Sequence, residues 1–230
     1  MLRLESCGIR SGSFVLNADL QVPAGGSYAV IGHSGAGKST LLEVIAGFRD
    51  LSAGAIYWKE QSLSDLSPGK RPIASLFQDG NLFPHLSAQQ NVALGLGKNG
   101  RLSRDEQDQV NSALSRVGLS DMNGRKPREM SGGQQSRVAL ARVLVQQREL
   151  LLLDEPFSAL GPALKSKMLD LVRDLVEETG TTLIMVSHDP KDARRIANQT
   201  IYVAEGKVHE PIDTSQFLDD PPSSVKDYFE

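Results

Sequence analysis

The chain has little of what stabilises secreted proteins or anchors membrane proteins. Its 230 residues include one cysteine, Cys7, which excludes an intramolecular disulfide and a zinc site built from several cysteines. The longest unbroken aliphatic run, residues 150–153, is far shorter than the roughly 18 residues that a membrane-spanning helix needs. The N-terminal segment also lacks the apolar core of a secretory signal peptide. These absences predict a cytosolic protein.

Neither sign of charge dominates. The 25 basic and 28 acidic side chains leave a formal net charge of −3, which gives no global electrostatic reason to bind nucleic acid or anionic lipid. We therefore expect no nucleic-acid partner. With 40% hydrophobic and 23% charged residues, the composition is that of an ordinary globular protein.

The hydrophobic pattern alternates between strands and helices. Short apolar runs at residues 28–31, 150–153, 182–187 and 201–203 predict buried strands, and segments with helical period follow most of them. Such alternation predicts an α/β protein with a largely parallel sheet. A mostly helical block, residues 86–147, interrupts the pattern. We interpret residues 1–230 as one domain and the block as a helical subdomain inserted into it.

A glycine-rich loop stands between a predicted strand and a predicted helix. Residues 32–39 read GHSGAGKS and fit the phosphate-loop pattern G-x-x-x-x-G-K-[ST]. Glycines let successive backbone N–H groups turn toward phosphate oxygens, and the helix N-terminus adds partial positive charge. Lys38 is predicted to neutralise the β- and γ-phosphates, and the Ser39 hydroxyl to ligate Mg²⁺. The predicted nucleotide-binding residues are Gly32, His33, Ser34, Gly35, Ala36, Gly37, Lys38, Ser39 and Thr40.

An apolar strand that ends in two carboxylates is the second element of the predicted site. Residues 150–155 read LLLLDE, and a buried strand seldom ends in paired acids without a cation to meet them. We expect this strand to lie beside the phosphate loop in the sheet, with Asp154 in the Mg²⁺ shell and Glu155 polarising the attacking water. The alternative is that both acids cap the turn before Pro156.

A third segment, SGGQQ at residues 131–135, predicts another helix terminus able to bind an anion. Ser131 is a good N-cap, and the two glycines leave N–H groups uncovered. Together with the phosphate loop, Gln78 after a short strand, LLLLDEP, SALG, and His188 after the strand TTLIMVS, this segment resembles the motif order of ATP-binding subunits of ABC transporters. The resemblance covers about residues 1–210.

The resemblance implies a P-loop NTPase (RecA-like) α/β core with a mostly parallel sheet, an antiparallel β subdomain and the inserted helical subdomain. It also implies an ATPase that acts as a homodimer during turnover. Two cassettes would pair head to tail around two ATP molecules. The residues that reach the nucleotide of the partner subunit would be Ser131, Gly132, Gly133 and Gln134.

The same resemblance assigns catalytic roles. Gln78 would touch Mg²⁺ and the attacking water, and His188 would contact the γ-phosphate and complete the geometry around Glu155. The structural alternatives are a solvated Gln78 before a turn at Asp79 and Gly80, and a His188 held by backbone at a helix start. The implied catalytic residues are Glu155, His188 and Gln78, and the implied Mg²⁺ ligands are Ser39, Gln78 and Asp154.

Two positions depart from the family pattern. The family places an aromatic residue near position 11 to stack on adenine, whereas this chain has Ser11, with Phe14 nearby. The loop that usually reads SALD ends here in Gly161, which removes a carboxylate from the dimer contact. We therefore expect weaker recognition of the base and altered communication between the two sites, with binding by the phosphate loop retained.

Without a membrane span, an importer subunit must dock on other proteins. The resemblance implies integral permease subunits as partners, an indirect link to a periplasmic solute-binding protein, and a peripheral location on the cytoplasmic face of the bacterial inner membrane. The stretch of residues 79–84, with Leu82 and Phe83, lies just after Gln78, where the family receives a coupling helix of the permease in a groove of the helical subdomain. Leu82, Phe83 and Leu86 could equally be core residues. Residues 211–230 are expected to form a short C-terminal tail without a regulatory domain.

Three stretches, residues 71–97, 127–145 and 150–165, are most similar to thiamine-importing members of the family. They predict thiamine as the cargo, with iron, sulfate and polyamine as alternatives. A soluble ABC-type switch in DNA repair or on ribosomes is a second hypothesis, which the absence of sustained heptads between Lys38 and Ser131 and the single cassette disfavour. A small-molecule kinase is a third, but it gives SGGQQ no role.

Overall fold

The computed structural model describes residues 1–12, 14–78, 81–97 and 101–226, without the side chain of Ser11. The chain divides into two compact units. The first comprises Met1–Ile73, Glu149–Asp154 and Val172–Glu230, and the second comprises Ala74–Arg148 and Glu155–Leu171. The helical block predicted at residues 86–147 falls within the second unit.

Strands and helices follow one another as an α/β protein requires. The strands are β1 Leu2–Ser11, β2 Phe14–Val22, β3 Ser27–Ile31, β4 Ala53–Trp58, β5 Gln61–Ser62, β6 Ile73–Leu76, β7 Leu150–Asp154, β8 Thr182–Val186, β9 Gln199–Ala204, β10 Lys207–Val208 and β11 Ile212–Asp213. The helices are α1 Lys38–Ala46, α2 Ala88–Ala93, α3 Arg104–Arg116, α4 Gly132–Leu144, α5 Pro162–Thr179, α6 Pro190–Ile196, α7 Thr214–Asp219 and α8 Ser223–Lys226.

The core of the first unit is a parallel sheet in the order β9-β3-β8-β7. Every residue of β7 and β8 is buried, as the unbroken runs LLLLD and TLIMV predict for strands covered on both faces. This confirms the predicted α/β fold with a mostly parallel core. Helix α1 contacts β7, so the helix that follows the phosphate loop lies on the sheet.

An antiparallel layer extends the sheet in the order β5-β4-β1-β2. Along β2 buried and exposed residues alternate, because one face meets the core and the other meets solvent. This layer agrees with the antiparallel β subdomain that the family resemblance implies. The short β10 joins the two parts, since it pairs with β2 on one side and with β9 on the other.

The C-terminal segment packs onto the first unit. Strand β11 pairs antiparallel with β9, and Phe217 in α7 and Val225 in α8 are fully buried. Asp213 starts α7 by accepting a hydrogen bond from the N–H of Gln216 at 2.9 Å. The segment expected to be a tail thus contributes to the core.

Helices of the second unit begin with reciprocal capping. Ser87 starts α2, Ser103 starts α3 and Ser131 starts α4, each with a glutamine or glutamate three residues later that bonds back to the serine N–H. This capping box satisfies donors that the first helical turn leaves unpaired. Among the described residues, no helix combines the length and the apolar character needed to cross a bilayer.

A buried arginine closes the helix that follows the phosphate loop. Arg71 donates from Nη1 to the carbonyl oxygens of Val44 at 2.9 Å and Ile45 at 2.7 Å, and from Nε to the carbonyl oxygen of Leu66 at 3.0 Å. Burial lowers the pKa of its guanidinium from the ordinary value. A side chain on Gly47, which has φ 85°, would come within 2.6 Å of the Arg71 Nε. The arginine therefore satisfies the last carbonyls of α1 in place of water.

We expect Arg71→Met to destabilise the protein by about 2 to 4 kcal/mol, because it removes the side-chain donor that meets the carbonyl groups of Ile45 and Leu66. Urea unfolding followed by the fluorescence of Trp58, the one tryptophan of the chain, measures the change. Arg49→Met is the control, since Arg49 pairs with Glu43 of the same helix at the surface, at 2.9 Å, and should cost less than about 1 kcal/mol. Equal effects of the two variants would contradict the capping role of Arg71.

Candidate functional site

Strand register brings predicted site residues of the first unit to one edge of the sheet. Val30 in β3 pairs with Val186 in β8, and Val186 pairs with Asp154 at the end of β7. Because these strands run parallel, the phosphate loop after β3, Asp154, and His188 after β8 leave the sheet on the same side. This is the edge at which ligands of open α/β sheets bind.

The expected position of the acidic strand needs one correction. Strand β7 does not neighbour the phosphate-loop strand β3, because β8 lies between them. The two neighbours of β3 are β8 and β9, so the acidic strand is one place further away. Strand β7, which ends in Asp154, nevertheless contacts α1, the helix that follows the phosphate loop.

The backbone of the phosphate loop requires glycine at specific points. Gly35 and Gly37 have φ values of 79° and 103°, which side-chain-bearing residues rarely adopt. A Cβ at Gly37 would also lie 2.6 Å from Cζ of Phe14, and a Cβ at Gly32 would lie 2.2 Å from the carbonyl oxygen of Val203. The loop can therefore follow this path only without these side chains.

Lys38 is held within the loop. It is only 8% exposed, and its Nζ donates to the carbonyl oxygens of Gly32 at 2.6 Å and His33 at 2.9 Å. Helix α1 starts at Lys38 after Gly37, which provides no side-chain cap. A buried ammonium at the positive end of a helix makes this loop a strong site for a polyanion.

Oxygen donors suited to Mg²⁺ lie at the start of α1 and at the end of β7. Ser39 is exposed and Thr40 is half-buried at the start of α1, and Asp154 is 5% exposed. Hydroxyl and carboxylate oxygens are ligands that Mg²⁺ prefers. Within the described residues no group of three or more His, Cys, Asp or Glu side chains could hold a metal ion. A hydroxyl and a carboxylate fit an ion such as Mg²⁺, which usually keeps several waters and binds through one or two carboxylates and phosphates.

The other predicted site residues belong to the second unit. Gln78 follows β6 and is exposed; the adjoining Asp79 and Gly80, on which part of the docking prediction falls, lie outside the described residues. Glu155 is half-buried and has φ 45°, a left-handed conformation that is unfavourable for a residue with a side chain. Such strain persists only where the surrounding structure imposes it, and it is typical of functional positions.

Ser131 caps helix α4 as the sequence predicts. Its Oγ accepts the N–H of Gln134 at 3.3 Å, and Oε1 of Gln134 accepts the N–H of Ser131 at 2.9 Å. A Cβ at Gly133 would lie 2.9 Å from Cδ2 of Leu160, whereas a Cβ at Gly132 would meet nothing within 4 Å. The packing of this chain therefore does not require glycine at position 132.

Sequence reasoning missed two side chains that orient α4. Gln135 donates from Nε2 to the carbonyl oxygens of Pro127 at 3.0 Å and Met130 at 3.2 Å. Arg137 donates from Nη1 to the carbonyl oxygen of Val117 at 2.9 Å. These three bonds tie the helix start to preceding segments of the chain. The second glutamine of SGGQQ was the only signal for them in the sequence.

Comparison with known proteins was consistent with this geometry. A family model described as ABC transporter matches residues 15–158. The chain is 58% identical to the thiamine import ATP-binding protein ThiQ of Ruegeria sp. and 50% identical to that of Cereibacter sphaeroides, in each case over 99% of both chains.

Solved structures agree in fold. The chain is similar to a dimeric ATP-binding cassette in a post-hydrolysis state bound to ADP and Pi, with a TM-score of 0.82. It is also similar to a dimeric bacterial ABC transporter cassette, with a TM-score of 0.83. Each is 30% identical in sequence, and the match covers 93% of this chain and 99% of the other.

We expect Lys38→Ala to weaken ATP binding by about 10- to 100-fold, because it removes a charged hydrogen-bond donor worth about 1.5 to 3 kcal/mol. Isothermal titration calorimetry measures the affinity. Lys70→Ala, at an exposed lysine of the same unit, is the matched control and should bind ATP as the unaltered chain does. Unchanged affinity of Lys38→Ala would remove the lysine from the nucleotide site.

Proposed function

Because the chain belongs to the ABC transporter family, we propose that it is the ATP-hydrolysing subunit of a bacterial thiamine importer. It is an ATPase of the ABC type. The observation that carries the proposal is the sheet edge at which the phosphate loop, Asp154 and His188 converge. Thiamine follows from the names of the relatives that are 58% and 50% identical along nearly the whole chain, which favour it over iron, sulfate or polyamine.

Residues 32–40 hold the phosphates of ATP. In the described chain the Nζ of Lys38 bonds to carbonyl oxygens of Gly32 and His33, so the ammonium is already in the loop when a triphosphate enters. Exchanging these carbonyls for phosphate oxygens strengthens the electrostatic interaction, since the new partner carries full negative charge. The start of α1 adds its partial positive charge.

Mg²⁺, when bound with ATP, neutralises charge on the phosphates. Ser39, Gln78 and Asp154 would hold it with a hydroxyl, an amide oxygen and a carboxylate oxygen. The buried position of Asp154 supports this role, because a carboxylate at the end of an apolar strand is stabilised by a nearby cation.

Hydrolysis is assigned to Glu155, His188 and Gln78. Glu155 takes a proton from the attacking water as general base. His188 donates a hydrogen bond to the γ-phosphate, and Gln78 orients the water. The place of Glu155, directly after Asp154 at the end of β7, supports its assignment.

The active form is a head-to-tail homodimer in which α4 of one subunit meets the γ-phosphate held by the other. The dimeric cassettes to which the chain is similar support this arrangement. A γ-phosphate bound from both sides favours the closed dimer, and its release allows the dimer to open.

The membrane partner is an integral permease, and a periplasmic solute-binding protein acts on it from the other side. The chain acts at the cytoplasmic face of the inner membrane as a peripheral subunit, and no nucleic acid takes part. Phe83 supports a docking role for its loop, because it is 47% exposed and buried Asn91 holds its backbone in place. Asn91 accepts the N–H of Phe83 at 2.8 Å and donates to the carbonyl oxygen of Phe83 at 3.2 Å.

We expect Gly132→Ala to preserve the fold and abolish most turnover. Alanine at this position meets no atom within 4 Å, and in a helix alanine is favoured over glycine by about 1 kcal/mol. In the dimer, the added methyl group would displace the γ-phosphate and lower kcat by about a hundredfold. Thermal unfolding and phosphate release measure the two effects.

Gly124→Ala is the matched control, because a Cβ at Gly124 also meets nothing within 4 Å and the residue has no assigned role. It should change neither stability nor turnover. Normal turnover by Gly132→Ala would contradict the assignment of α4 to the partner nucleotide.

The cargo is tested by uptake into vesicles. The chain, purified from membranes with its permease, is reconstituted and supplied with ATP on the side of the chain and with radiolabelled thiamine and the solute-binding protein on the other. We expect uptake of thiamine with the unaltered chain and none with Glu155→Gln, which should still bind ATP because the change leaves the phosphate loop intact. Uptake of iron, sulfate or polyamine in place of thiamine would refute the cargo and leave the ATPase assignment standing.

A further inference from the structure

A buried polar pair flanks His188. Ser187 is 4% exposed and Asp192 is 7% exposed, and the Oγ of Ser187 lies 2.6 Å from Oδ2 of Asp192. Ser187 is the residue between β8 and His188, and Asp192 lies in the first turn of α6. Burying a carboxylate costs free energy unless a hydrogen-bond donor meets it. The hydroxyl of Ser187 is such a donor for Asp192.

The direction of the hydrogen bonds follows from the chemistry of the two groups. A serine hydroxyl has one proton, and an ionised carboxylate only accepts. Ser187 therefore donates to Asp192, and the 2.6 Å distance is that of a charge-assisted O–H···O⁻ bond. The oxygen of the same hydroxyl accepts the N–H of Asp189 at 3.1 Å. By orienting the hydroxyl, Asp192 also orders the backbone on the far side of His188.

Both neighbours of His188 are thereby attached to regular structure. The N–H of Ser187 donates to the carbonyl oxygen of Val30 in β3 at 3.4 Å, one residue before the end of the strand that leads into the phosphate loop. The Oδ1 of Asp189 accepts the N–H of Lys191 at 2.9 Å and caps α6. His188 itself is exposed at the sheet edge, and these anchors hold the backbone on both sides of it.

We propose that Asp192 is a positioning residue for His188 and acts through the hydroxyl of Ser187. This rests on the proposed function, in which His188 contacts the γ-phosphate. Asp192 lies four positions from His188 and does not contact the nucleotide in this role. Asp192 holds the backbone on each side of His188 in one conformation. The imidazole is therefore already oriented toward the γ-phosphate when ATP binds.

The hydroxyl is tested by a pair of variants of equal shape. Ser187→Thr keeps the donor, and Ser187→Val replaces it with a methyl group. We expect Ser187→Thr to hydrolyse ATP at a rate close to that of the unaltered chain. Ser187→Val and Asp192→Asn should each lower kcat by about tenfold while KM for ATP changes less than about twofold, because orientation and not binding is affected.

A double-mutant cycle separates positioning from general structural damage. In a His188→Ala background, Ser187→Val and Asp192→Asn should lower kcat no further, since the side chain that they position is absent. An equal fractional loss of kcat with and without His188 would overturn the proposal, as would normal kcat in Ser187→Val. Circular dichroism at the assay temperature establishes that each variant is folded.

Histidine NMR gives a readout that does not depend on turnover. The chain has four histidines, His33, His85, His188 and His209, and the Hε1 signals of the other three serve as internal controls. In Asp192→Asn the signal of His188 should broaden or move, and those of the controls should not. An unchanged His188 signal would overturn the positioning role.

Different results would refute the proposed function and the positioning role of Asp192. If the unaltered chain bound and hydrolysed no ATP, the proposed function would be refuted, while the NMR result would still decide whether Asp192 orders His188. If the chain hydrolysed ATP normally and the His188 signal were indifferent to Asp192, the proposed function would stand and the inference about Asp192 would be wrong.

Discussion

Parallel pairing of β3, β8 and β7 at a single register is the constraint on which the nucleotide site depends. It sets Val30, Val186 and Asp154 side by side, so the phosphate loop, Asp154 and His188 all lie at the same edge of the sheet. Each strand is buried almost completely. A slip in register would therefore expose apolar side chains, and it would also separate Asp154, His188 and the phosphate loop from one another. The hydrophobic core and the site are therefore stabilised by the same interactions.

Glycines in this chain meet two different demands. Gly32 and Gly37 leave room for atoms of the chain itself, namely the carbonyl oxygen of Val203 and the ring of Phe14. Gly132 leaves room that no atom of the chain uses. Gly161, where the family usually has an acid, likewise meets nothing within 4 Å, and its carbonyl accepts the N–H of Lys165 at 2.9 Å at the start of α5. The missing carboxylate is thus not a consequence of packing within the subunit.

Residues around the chemistry are ordered by groups that take no part in it. Arg71 closes the far end of α1 with hydrogen bonds to the carbonyl groups of Val44 and Ile45, and a third bond ties it to the carbonyl group of Leu66. Asp192 and Ser187 secure the backbone beside His188. These polar groups are buried and paired, so each rigidifies its segment more than an exposed pair could.

Sequence alone determined the features that depend on neighbouring residues: the phosphate loop, the N-cap at Ser131, the acidic end of β7 and the alternation of strands with helices. Each has a local physical cause, such as backbone N–H groups at a helix start or the burial of an apolar run. Tertiary structure alone decided that β8 separates β3 from β7, that Glu155 adopts a left-handed conformation and that Asp192 meets Ser187. These features depend on which distant segments of the chain pack against one another and exclude water. The hydrophobic period and the motif spacing do not specify which segments those are.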